Sequence, residues 1–280
     1  MVINHLQQHQ KPREKSISTP RVNTKNITII GGHGRMGKFF TNQLVDTGHQ
    51  VDILEKDWFN AEKLLSEADL VLCSVPIKCT VEVIERAAKF LNPTTALADI
   101  TSVKAEPVKA MLKYHSGAVI GLHPMFGPST RSFRGQKVVV CPGRNDEVFD
   151  WLLNLMRNQG AELIYSMPEE HDRMMVMIQA TRHFCRLTQA VYLAQEQTDI
   201  DKSLLMSSPS YRQEIEILKR LLNQNPQLCV DIMLATQERC QAIKSLAETY
   251  IRLAELVENQ DREALIQEIE TTQTFFNQRK

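Results

Sequence analysis

Lys25-Asn-Ile-Thr-Ile-Ile-Gly-Gly-His-Gly-Arg-Met-Gly37 is the stretch whose reading decides the fold. Ile27 to Ile30 form a β-branched run that predicts a short buried strand. Gly32, Gly34 and Gly37 then stand as G-x-G-x-x-G ahead of an amphipathic helix carrying Phe39, Phe40, Leu44 and Val45. In such a unit the first glycine permits a tight turn, the second lets the backbone approach a pyrophosphate, and the third lets the helix pack closely on the strand. N–H groups at the helix start face the anion, so Gly32, His33, Gly34, Arg35, Met36 and Gly37 are candidate cofactor contacts. A second strand, Gln50 to Leu54, ends in Glu55, eighteen residues beyond Gly37, where a carboxylate meets the ribose hydroxyls of a dinucleotide. The same glycines also fit the start of a P-loop, G-x-x-x-x-G-K, but position 39 is Phe where that loop needs a hydroxyl for magnesium. A glycine turn that binds nothing leaves the flanking strand, helix and acid unexplained.

Outward from this unit the α/β alternation continues. Ala61 to Glu67 reads as a short helix, and Asp69 to Pro76 as a third parallel strand with Ser74, Val75 and Pro76 at its exit. Ligands gather at the carboxyl ends of strands in open α/β sheets, so these three join the candidate cofactor contacts. Val81 to Leu91 predicts a helix. Thr95 to Asp99 predicts a fourth strand leading into Ile100-Thr-Ser-Val-Lys104, and Ala118 to Leu122 a fifth that delivers His123-Pro-Met-Phe-Gly-Pro128. Thr101, Ser102, Lys104 and His123 thereby reach one edge of the sheet. Strands at Lys137–Cys141 and Ala161–Tyr165, flanking a helix from Glu147 to Gln159, complete a first domain spanning 26–166.

From Pro168 the pattern turns helical, giving a second domain over 167–280. One helix runs through Met174, Ile178, Cys185 and Tyr192, with His171, Gln179 and His183 spaced by eight and four along one face. Pro209 opens another that bears Arg212 and Arg220. Leu228 to Val257 and Glu263 to Phe276 supply two more, whose apolar stripes read as core or dimer interface.

Composition supports the division: all 11 glycines lie at or before Gly160 in a chain of 280 residues. Lys plus Arg and Asp plus Glu both count 33, so no general attraction to nucleic acid or an anionic membrane is expected. Cys73, Cys79, Cys141, Cys185, Cys229 and Cys240 show no C-x-x-C spacing and read as buried free thiols of a reducing compartment. With no long apolar span and no apolar signal core, the expected location is cytoplasmic. Residues 1–25 read as a disordered tail or linker, in which His5 and His9 are solvated rather than metal-bound.

Oxidising a carbon that bears a hydroxyl requires a proton acceptor, and histidine is mostly neutral near pH 7. His123, at a strand exit on the cofactor edge, is the best placed of the eight histidines; His33 lies in the glycine turn, and His49 and His115 at solvent-facing helix ends. An anionic substrate needs fixed cations, for which Arg212 and Arg220 offer bidentate hydrogen bonds.

Five ordered blocks carry a resemblance: Asp99-Ile-Thr-Ser-Val-Lys104, Gly121-Leu-His-Pro-Met-Phe-Gly-Pro128, Glu170-His-Asp172, Ile178-Gln-Ala-Thr-Arg-His-Phe184 and Ser207-Ser-Pro-Ser-Tyr-Arg212. Together they resemble prephenate dehydrogenase, and most closely the dehydrogenase part of the bifunctional chorismate mutase/prephenate dehydrogenase of tyrosine biosynthesis. The resemblance implies a Rossmann NAD-binding domain followed by an all-helical dimerisation domain, with the active site between them. It implies His123 as the catalytic histidine facing the substrate's ring hydroxyl, and Ser102 as the serine that helps hold that hydroxyl. Lys104, Gln179, His183, Arg212 and Arg220 become the substrate-binding set, Arg220 gripping the ring carboxylate; Arg212 and His171 are supporting residues. Prephenate, NAD, a homodimer and tyrosine as end-product inhibitor follow from the same resemblance, and no metal is required. Glu55 argues for NAD over NADP, since its carboxylate would repel a 2′-phosphate. The residues ahead of Asn26 are too few for an all-helical mutase site, so no mutase activity is expected of this chain. The alternatives are an arogenate dehydrogenase, or an NAD-binding regulatory protein without chemistry.

Overall fold

The computed structural model describes residues 24–127 and 129–278, so most of the expected tail, with His5 and His9, and Pro128 of the His-Pro block lie outside the described residues. The first half alternates β1 (Asn26–Ile30), α1 (Arg35–Asp46), β2 (Gln50–Leu54), α2 (Ala61–Ser66), β3 (Leu70–Cys73), α3 (Thr80–Ala88), β4 (Ala96–Asp99), α4 (Ala105–Tyr114) and β5 (Val119–Pro124). It closes with β6 (Lys137–Arg144), α5 (Asp150–Asn158) and β7 (Glu162–Tyr165). The seven strands form one sheet in the order β2-β1-β3-β4-β5-β6-β7. β1 to β5 run parallel, β6 is antiparallel to β5, and β7 is parallel to β6. Strand order reverses at β1, with β2 on one side and β3 on the other, which opens a crevice at their carboxyl ends. β3, β4 and β5 are buried along their whole length, as strands covered on both faces must be.

The second half is helical: α6 (Pro168–Met175), α7 (Arg182–Gln195), α8 (Ile200–Leu205), α9 (Pro209–Leu222), α10 (Pro226–Met233), α11 (Gln237–Glu258) and α12 (Arg262–Asn277). α6, α9 and α10 each begin on a proline, where the missing N–H costs nothing.

Several expectations are corrected. The tight turn falls one residue early: Gly31 takes the left-handed conformation (φ +82), and a Cβ there would lie 2.5 Å from the Ser74 carbonyl oxygen. The helix read through Tyr192 is interrupted by a π turn, Val176–Thr181. The helix read over 228–257 is broken, because Thr236 turns extended and caps α11 by accepting from the Arg239 N–H at 3.2 Å. α4 and α8 were not anticipated, and α5 starts three residues late, behind a 3-10 turn. His49 and His115 are buried rather than solvent-facing, and Cys79, Cys185 and Cys240 are half-buried, although all six thiols are free.

Candidate active site

The glycine loop and β3 build one wall of the crevice. A Cβ on Gly37 would meet the Gly31 carbonyl oxygen at 2.4 Å and Gly32 Cα at 2.7 Å, so only glycine lets α1 sit this close to the turn. α1 opens with no side-chain cap and no acid in its first turn, and its first backbone bond runs from the Lys38 N–H to the Gly34 oxygen. The N–H groups of Arg35, Met36 and Gly37 are thereby left for an anion. At the end of β2, the Glu55 carboxylate accepts from the His33 N–H at 2.9 Å, which fixes the acid against the loop. These features fit the pyrophosphate and ribose of a dinucleotide. Ser74 and Val75 are half-buried at the β3 exit and Pro76 is exposed. Thr101 is buried, its hydroxyl 2.6 Å from Asp99 Oδ2 and 3.0 Å from the Val103 oxygen.

Across the crevice, β5 carries His123, 3% exposed, next to a loop that Phe126 pins to α1 by edge contact with Phe39 at 5.2 Å. Its Nδ1 lies 2.7 Å from Nε2 of His171 on α6, and His171 Nδ1 lies 2.8 Å from Asp172 Oδ1. The Asp172 carboxylate in turn accepts from the N–H of Lys104 at 2.8 Å and of Ala105 at 2.9 Å, at the start of α4. Burial pushes the Asp172 carboxyl up, but the bonds from His171, Ala105 and Lys104 outweigh it and hold it below the usual range. An ionised carboxylate accepts only, so His171 donates from Nδ1 and accepts at Nε2. His123 therefore carries its proton on Nδ1, and its Nε2 is a proton acceptor. That nitrogen faces the Gln179 side-chain amide at 3.2 Å.

Burial drives His123 well below its ordinary pKa, reinforced by His171, Lys104 and Arg239. Burial likewise lowers His171 and His183. His183 lies behind Gln179, its Nδ1 2.7 Å from the Gln179 carbonyl oxygen, and the buried Gln179 Oε1 has no partner among the described residues. The π turn supplies this arrangement: one residue inserted into the helix swings Gln179 toward His123.

The Lys104 side chain is fully buried, Nζ bound to the Asp99 carboxylate and to the Leu122 carbonyl oxygen, so it braces β4 against β5. Gly121 leaves the room it needs, because a Cβ there would come within 3.1 Å of the lysine chain. Arg212 and Arg220 stand exposed on α9, outside the histidine network, with Arg220 Nε 3.3 Å from the Glu216 oxygen. A buried guanidinium that the sequence reading missed, Arg239, also reaches the loop after β4. It is fully buried and donates to the oxygens of Ile232 at 2.8 Å and Ser102 at 3.0 Å. Ser102 itself is half-buried. Among the described residues no cluster of His, Cys, Asp and Glu has metal-binding geometry.

Comparison with known proteins shows the family. Residues 48–165 match the family model for the prephenate dehydrogenase nucleotide-binding domain, and residues 167–271 the one for the prephenate dehydrogenase dimerization domain. The first match begins beyond the glycine loop, whose assignment rests on its own geometry. The T-protein of Haemophilus influenzae is 39% identical over 251 residues, covering 89% of this chain and 67% of that protein. The T-protein of Enterobacter agglomerans is 38% identical over 264 residues, covering 94% and 70%. In fold, the crystal structure of prephenate dehydrogenase from A. aeolicus in complex with hydroxyphenyl propionate and NAD+ matches with a TM-score of 0.66, at 19% identity, over 92% of this chain and 99% of that one.

Proposed function

The chain belongs to the prephenate dehydrogenase family, and from that premise we propose that it converts prephenate to 4-hydroxyphenylpyruvate and carbon dioxide, with NAD+ as oxidant, in tyrosine biosynthesis. Gly32 to Gly37 and Glu55 are the residues that hold NAD, which when bound supplies the two-electron acceptor. The observation that carries the reading is the chain Asp172–His171–His123, which presents an unprotonated Nε2 from a water-poor site.

The ring hydroxyl of the substrate takes the place of the Gln179 amide at that nitrogen, with Ser102 as its second neighbour. As the ring carboxylate leaves as carbon dioxide, the electrons of the broken carbon–carbon bond enter the ring, and the hydrogen on the hydroxyl-bearing carbon would depart as hydride to the NAD+ held by Gly32 to Gly37 and Glu55, which leaves the ring aromatic. His123 draws on the hydroxyl proton while this happens and returns it to the product, because a phenolate (pKa about 10) binds a proton more strongly than imidazole (about 6.5). Aromatisation drives the reaction, so alignment and one polarised hydroxyl are what the protein must provide. Gln179 and His183 line the ring, and Arg220, with Arg212 in support, meets the carboxylates.

Placing the division between the two domains at residue 166, the homodimer forms through the helical one. Ile251 and Val257 on α11 and Ile269 and Phe276 on α12 leave apolar surface exposed there, which supports a partner on that face. Tyrosine, a phenol with a carboxylate, has the shape to compete at the same place, and the free thiols suit a cytoplasmic protein. The test is NADH formation by the purified chain with NAD+ and prephenate, in parallel with arogenate. Turnover of prephenate is expected; a chain that reduces no NAD+ with either compound overturns the reading.

A further inference from the structure

Arg239 is an anomaly on stability grounds. It is fully buried, hydrogen-bonded to two main-chain carbonyls, ion-paired with no carboxylate among the described residues, and its Nε has no acceptor. A charge held this way costs more than an apolar side chain of the same size, so its presence calls for a use. Its position supplies one. Thr236 ends the α10–α11 joint and starts α11 three residues before Arg239, which aims the guanidinium out of the helical half and onto the loop after β4. There it holds the main chain of Ser102, while its charge lies close enough to act on His123, His171 and His183.

We infer that Arg239 is a positioning residue for the reaction: its guanidinium fixes the main chain of Ser102 in the loop after β4, and its fixed positive charge adds to the burial of His123 in opposing a positive charge on that imidazole. The charged and titratable groups around His123 are His171 and Asp172 from α6, the Lys104–Asp99 pair from the β4–α4 segment, Arg239 from α11, and His183 beyond Gln179. Lys104 is matched by Asp99 and His171 by Asp172, whereas Arg239 is the cation left without an ion-pair partner among them.

The kinetic arm of the test rests on the reaction proposed above, and the spectroscopic arm does not. Histidine NMR titration of the free protein, with His123 assigned through His123→Asn, should show its imidazole protonating below the ordinary histidine value. A wild-type His123 that titrates at the ordinary value overturns the inference. In Arg239→Met the charge is gone, so the titration, and with it the acid limb of kcat/KM, should move to higher pH. A folded Arg239→Met with both unmoved marks the arginine as merely structural and overturns the inference. Arg239→Lys keeps the charge and loses the fork, so the acid limb should stay in place while kcat falls by about tenfold as Ser102 drifts. An Arg239→Lys enzyme with wild-type kcat shows that the hold on Ser102 is not used. Loss of turnover in the wild type sinks the reaction and leaves the titration result standing.

Discussion

Asp172→Asn isolates the far end of the histidine chain. The hydrogen bonds of 2.8 Å to His171 and 2.7 Å from His171 to His123, on either side of one imidazole, put the carboxylate about 7 Å from His123 Nδ1. At an effective dielectric of about 20, removing that charge withdraws about 2 kcal/mol from an imidazole that is gaining a proton, a rate loss of about 30-fold. The asparagine fits in two ways. One keeps the His171 tautomer and turns the amide against the Ala105 N–H; the other keeps Ala105, turns the amide against the Lys104 N–H, and reverses both histidine tautomers. Either way one backbone donor at the start of α4 loses its acceptor, which lowers stability by about 1–3 kcal/mol. That deficit depends on pH. The Asp172 carboxyl lies below its ordinary value of 3.8 in the fold, so the wild-type advantage is complete above that value and disappears as pH falls through the lower one. The assays are kcat with prephenate, and urea midpoints for both proteins from neutral pH downward. An Asp172→Asn enzyme with wild-type kcat would refute the relay, whatever its stability.

His123→Asn should lower turnover of prephenate by about 10² or more while leaving NAD affinity unchanged, measured by steady-state kinetics and by fluorescence titration of the cofactor. Undiminished turnover would mean that another group accepts the proton. Gly37→Ala forces a Cβ within 2.4 Å of a backbone oxygen that cannot yield, so a loss of about 1–3 kcal/mol in stability and weak NAD binding are expected; an unchanged Tm contradicts the packing argument. Glu55→Gln removes the repulsion of a 2′-phosphate and should shift the NADP-to-NAD affinity ratio toward NADP by about tenfold, about 1.4 kcal/mol. A ratio that stays put would show that the acid holds only the His33 N–H.

What the sequence disclosed and what it concealed divide along a physical line. β1 and the glycine turn were legible because their requirements are local: a β-branched run, and positions where a side chain collides with backbone. His123 was legible for a related reason, since a strand exit fixes where the next residues go. Residues governed by packing between distant segments were not. Arg239 sits in a stretch whose periodicity suits an uninterrupted helix; Thr236 followed by Glu238 is a signal for a helix start, yet nothing local says that the arginine three positions on will be enclosed. Asp172 was visible as part of a motif, but its role depends on α4, a helix hidden by Pro107 in its first turn. The spacing of eight and four that put His171, Gln179 and His183 on one face assumed a regular helix. The π turn changes the angular step between them, so the amide reaches His123 while His183 bonds to the Gln179 carbonyl. Each concealed element joins the helical half to the sheet. The proton acceptor was readable because the sheet alone positions it, whereas the groups that set its tautomer and its charge come from across the domain boundary.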